Sequence, residues 1–130
     1  MATHVPVRLV EGCEIVQEEH YLRGVIGPGL AQSIQACYHE LFHACVQRDC
    51  RRVLVIGKSK WDAFSHLAAR DALRSIVLAG LPARFRIAFV PTTAALIAVY
   101  DAALVEAWRL GIEAKRFPEE AEAARWLAEP

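Results

Sequence analysis

The sequence predicts an α/β protein: one domain with a mixed sheet of four to six strands and helices packed on it. Three observations predict it. A front quarter of short β-branched runs broken by glycines reads as strands. From residue 51 onward, short apolar runs alternate with stretches of helical length, the pattern of a parallel sheet covered by crossover helices. The length of 130 residues, with no repeat, linker or low-complexity tract, fits a single core.

The first runs are "VPVRLV", "CEIVQEE" and "HYLRGVI", interrupted by Gly12 and closed by Gly27-Pro28-Gly29. They predict two or three antiparallel strands. A long helix follows from about Leu30 to Arg48, with Pro28 just ahead of it, where a missing amide hydrogen costs little. Then come the strand "RRVLVIG", a helix from Ala63 to Ala79, the strand "RFRIAFV", a helix from Thr92 to Leu110, the strand "IEAKRF" and a helix from Glu119 to Leu127. Gly80 and Gly111 stand where two of these helices should stop.

Hydrophobic residues make up 55% of the chain and charged residues 23%, with 15 basic against 15 acidic groups, so disorder is not expected. A balanced charge spread along the chain gives no general attraction to nucleic acid or to an anionic membrane. The N-terminus lacks the basic and continuous apolar regions of a secretory signal, and no apolar run approaches the roughly 20 residues that span a bilayer. The expectation is a cytoplasmic protein. Cys13, Cys37, Cys45 and Cys50 include no C-x-x-C pair, and most are expected to be reduced thiols, two of them in the core.

His39-Glu40-Leu41-Phe42-His43 spells H-E-x-x-H, the pattern of zinc hydrolases, in which two histidines bind the metal and the glutamate acts as base. Helical register argues against it. Leu30, Ile34, Cys37, Leu41, Cys45 and Arg48 share one stripe, and His39 and His43 fall roughly opposite, so turning the histidines inward would expose the leucines and isoleucine. The metzincin continuation is missing, and among the distant third ligands His66, Asp71 and Glu106 nothing singles one out. The motif reads as an exposed polar helix face, on which a surface zinc or a metal bridging two subunits fits better than a peptidase site. Gly57-Lys58-Ser59 echoes a phosphate-binding loop, but Arg52 stands where its first glycine belongs.

In open parallel sheets ligands bind beyond the carboxyl ends of the strands. Lys58, Ser59, Trp61, Asp62, Ser65 and His66 follow one strand, and Thr92 and Thr93 follow another. Trp61, an aromatic in such a loop, is the best single candidate for touching a ligand or partner. Trp108 and Trp126, near helix ends, read as packing residues whose N–H can find a carbonyl or water. Phe64, Leu67, Ala68, Ile76 and Leu78 make the second helix apolar around its circumference, as does "TTAALIAVY" for the third. Helices of this kind bury a second face in the core, against a ligand or membrane interface, or against a second copy. Ala94, Ala95, Ala98, Ala102 and Ala103 would permit the close approach of a homodimer.

The ending "GIEAKRFPEEAEAARWL", with Phe117, an acidic helix start and Ala124, Trp126 and Leu127, together with "FRIAFV" before a long helix, resembles the STAS superfamily. The likeness is to its small SpoIIAA-like, or STAS/SEC14-like, single-domain members, and spans nearly all the chain. The resemblance implies a non-enzymatic, regulatory or ligand-binding role without a cofactor. It also implies a serine phosphoswitch after the central strand, for which Ser65 is the nearest candidate and Ser59 the second. There Phe64 replaces a small residue and His66 stands where glycine would be. Its lipid-carrier relatives imply an apolar or lipid-like ligand. The function expected is a non-catalytic module that binds an apolar or anionic small molecule or a protein through Trp61, Phe64, Ser65, Thr92 and Thr93. A zinc hydrolase built on His39, Glu40 and His43 is the alternative.

Overall fold

The computed structural model describes residues 4–29, 31–58 and 66–130. Strands β1 (Val5–Val10), β2 (Cys13–Gln17) and β3 (Leu22–Ile26) lead into helix α1 (Ala31–Arg48). Then β4 (Arg52–Gly57), α2 (His66–Leu78), β5 (Arg86–Pro91), α3 (Ala94–Arg109), β6 (Glu113–Arg116) and α4 (Glu120–Ala128) alternate. All six strands form one sheet in the order of the sequence. The first two pairings are antiparallel and the next three parallel.

Parallel neighbours joined by helices require crossovers, and crossovers of one hand along a sheet that grows in one direction put their helices on one face. Accordingly α1, α2 and α3 share a large core with Leu22, Ile26, Val53, Val55, Ile87 and Phe89. The alternate residues Val25, Leu54, Ile56, Ala88 and Val90 point the other way and meet Ala123, Trp126 and Leu127 of α4. This two-sided burial explains why β4 and β5 read as continuous apolar runs. Arg23 of β3 fastens α4 through Nε and Nη2 to the Glu120 carboxylate, at 2.5 and 3.2 Å.

The register predicted for α1 holds for four residues of its stripe, Leu30 lying outside the described residues, and the buried face is wider than expected. Ile34, Cys37, Leu41 and Cys45 are buried, joined by Tyr38, Phe42 and Ala44, while Arg48 is exposed. Gly80 and Gly111 have φ of +74° and +79° at the ends of α2 and α3, the left-handed conformation expected of them. The second helix is described from His66 to Leu78, and its expected start at Ala63 lies outside the described residues.

Two expectations are corrected. Cys13 and Cys37 form a disulfide, their Cα atoms 5.6 Å apart, and only Cys45 and Cys50 are free thiols. Twenty-four residues separate the pair in sequence. Their meeting follows from α1 packing over the start of β2, which no local motif encodes. Such bonds are rare in reducing compartments, so this one runs against the expected cytoplasmic setting. Trp108 is 56% exposed, although its indole N–H does find the Ala114 carbonyl at 3.1 Å. Trp126, at 9%, packs as expected.

Candidate functional site

The carboxyl ends of β4 and β5 are tied together. The Gly57 carbonyl accepts from the Thr92 amide at 2.9 Å and from Thr92 Oγ1 at 2.7 Å, while the Lys58 amide donates to the Ile26 carbonyl at 2.8 Å. Thr93 is the extended N-cap residue of α3, with φ −132° and ψ 152°, and makes no side-chain capping bond. The ammonium of exposed Lys58 and the start of a 16-residue helix therefore stand at the same sheet edge. Both carry positive potential, the helix through its unpaired amide groups. Of the residues expected at this edge, Thr92 and Thr93 are brought together, whereas Ser59, Trp61, Phe64 and Ser65 lie outside the described residues.

Beneath that edge lies a buried polar pair. The Tyr38 and Tyr100 hydroxyls are hydrogen-bonded to each other in the core between α1 and α3, and Phe89 stacks on Tyr100 with ring centroids 4.8 Å apart. Burial pushes the Tyr100 hydroxyl well above the usual tyrosine range, opposed in part by its bond with Tyr38.

The H-E-x-x-H residues fall as register dictates. His39 and His43 are exposed on α1. Glu40 forms an ion pair with Arg8 of β1, its carboxylate oxygen 2.6 Å from Nε, so the carboxylate that would serve as base is engaged by a guanidinium. Among the described residues no group of three His, Cys, Asp or Glu gathers as a ligand set. Of the distant candidates, Glu106 pairs with Arg109 at 3.2 Å and Asp71 is exposed on α2, while the side chain of His66 is not among those described.

At the opposite sheet edge the structure assembles a group that sequence reading missed. Arg51, Arg52, Arg84 and Arg86 flank the starts of β4 and β5, and parallel pairing sets Arg52 directly beside Arg86. The signal was present in "DCRRV" and "ARFRI": two strands of one parallel sheet with arginines before or at their first residues bring those arginines to one rim.

Compared with protein-family models, with curated proteins and with solved structures, the chain matches none. Among the described residues no helix is long and apolar enough to cross a membrane.

Proposed function

We propose that the protein is a non-catalytic ligand-binding or regulatory module of SpoIIAA-like type, and that it recognises its ligand at the edge formed by the carboxyl ends of β4 and β5. The observation that carries the reading is the tie between Gly57 and Thr92, which holds Lys58 and the N-terminus of α3 at one place on a rigid sheet. Ammonium and helix-start amide groups are donors, suited to an anionic group on a small molecule or protein. Trp61 and Phe64, which follow Lys58 in the sequence, would supply apolar contact, and Ser65 or Ser59 a phosphorylation site. The engagement of Glu40 by Arg8 weighs against the hydrolase alternative.

A second copy is the partner we propose for α3. Ile97, Val105 and Trp108 are exposed along that helix, together with Ala94 and Ala98. Native mass spectrometry of untagged protein reads all these points in one spectrum. The expected result is a metal-free dimer that carries or accepts a small molecule, with Trp61→Ala losing the adduct while keeping its fold. Stoichiometric zinc lost in His39→Ala and His43→Ala would overturn the reading.

A further inference from the structure

The arginine rim lies at the amino ends of β4 and β5, opposite Lys58 and Thr92, so a site there is independent of the proposed module and its ligand. The four guanidinium groups are not equivalent. Arg86 is committed to structure. Its Nη1 donates to the carbonyls of Trp126 and Glu129 at 3.0 and 2.8 Å and its Nη2 to Pro130 at 3.0 Å, while its Nε lies 3.3 Å from a Glu113 carboxylate oxygen. Arg51 donates to the Ala83 carbonyl at 2.8 Å and stands 3.8 Å from the Asp49 carboxylate.

Arg52 and Arg84 differ. Among the described residues Arg52 donates only to main-chain carbonyls, those of Arg51 at 3.3 Å and of Arg84. Arg84 makes no side-chain hydrogen bond or ion pair among the described residues. Neither has a carboxylate partner there. Both line two adjoining clefts, one of about 380 Å³ shared with His20, Arg51 and Glu129, the other of about 480 Å³ shared with Arg86 and Glu113. Volumes of this order accommodate a small molecule.

Two further features mark the pair. Burial, and then the neighbouring charges of Arg86 and Arg84, lower the proton affinity of Arg52 below the usual guanidinium value, with Glu113 opposing. An anion at the rim would relieve that repulsion. Arg84 itself sits at φ +67°, a left-handed conformation that is unfavourable for a residue with a Cβ. Such strain recurs where a side chain serves recognition rather than folding.

We propose that Arg52 and Arg84 form a binding site for a single phosphate group carried by a small phosphomonoester. Paired guanidinium forks match the oxygens and double charge of a phosphate. Asp49 and Glu129 line the first cleft and Glu113 the second. With Arg51 beside Asp49 and Arg86 beside Glu113, the charge left over is that of Arg52 and Arg84 against Glu129, which favours one phosphate over a polyphosphate.

Calorimetric titration with inorganic phosphate and with glycerol 3-phosphate, at neutral pH and constant ionic strength, tests this. Saturable binding is expected, tighter for the ester, and weakened at least about tenfold in both Arg52→Ala and Arg84→Gly, the loss of one charge-assisted contact. Arg70→Ala, exposed in the first half of α2 and so toward the opposite ends of the strands, should bind as the unaltered protein does. Arg84→Gly keeps the test independent of folding, because glycine accepts the left-handed backbone and its thermal midpoint should be unchanged or higher. Absence of saturable binding of either probe, or affinity unchanged in both variants, would overturn the proposal. So would binding seen only with vesicles containing phosphatidic acid, which would make the rim a membrane contact.

Discussion

The hydroxyl of Tyr100 stands where a side chain on Gly57 would have to begin. Gly57 ends β4 at the proposed recognition edge, and Leu96 closes the same space, its Cδ1 2.7 Å from an ideal Cβ. Any larger residue there must push α3 away from the sheet. Gly57→Ala should therefore destabilise by about 1–3 kcal/mol, the usual cost of overpacking. In a Tyr100→Phe background the penalty should shrink, because the obstructing oxygen is gone. Urea unfolding of the two single variants and the double variant measures this coupling, and strict additivity would show that the contact does not matter.

Buried Tyr100 and Cys45 should make the protein sensitive to alkali. Burial raises both above their ordinary values, so the unfolded chain gives up these protons at lower pH than the folded one does. Their contribution is complete below the unfolded values, about 8.5 for a thiol and about 10 for a tyrosine, and is lost as pH rises through them. Denaturation midpoints across this range should fall, and Cys45→Ala combined with Tyr100→Phe should flatten the decline. A slope identical to that of the parent would contradict the assignment.

The Cys13–Cys37 bond closes a loop across the β2–α1 interface. A separation of 24 residues corresponds to about 3.5 kcal/mol of stabilisation in the chain-entropy model. Thiol titration of unfolded, unreduced protein should find two thiols, those of Cys45 and Cys50. After reduction it should find four, with a lower unfolding midpoint. Four thiols before reduction would show that the pair is open.

Arg86 holds the end of α4 through three carbonyls, and its guanidinium carbon lies 5.4 Å from the Trp126 ring centroid. Its side chain is only 13% exposed. Arg86→Ala should cost about 2 kcal/mol, since hydrogen bonds to a charged group are lost and carbonyls are left without a donor. Lysine should recover little of this, because an ammonium cannot reproduce the fork. Recovery of full stability by Arg86→Lys would mean that charge alone matters.

His39→Ala and His43→Ala should each change stability by less than about 0.5 kcal/mol, as exposed positions usually do. Chemical unfolding of the two variants checks this, and a loss of several kcal/mol would place the imidazoles in contacts that the exposed face of α1 does not provide.

The sequence by itself determined the α/β class, the order of the elements, the inward stripe of α1 and the outward turn of its histidines. These depend on periodicity, which is a local property: a 3.6-residue repeat or a continuous apolar strand identifies its buried face without knowledge of the partner. The glycines ending α2 and α3 were legible for the same reason.

Tertiary structure alone decided the rest. Cys13 meets Cys37, Tyr38 meets Tyr100, Glu40 meets Arg8, and Arg52 stands beside Arg86 only because particular strands are neighbours and particular helices cross them. None of these pairs is close in sequence. A disulfide, a buried hydroxyl pair or a charged cleft forms when two side chains share a place, and that place is set by sheet order and register, which arise from the packing of the whole chain.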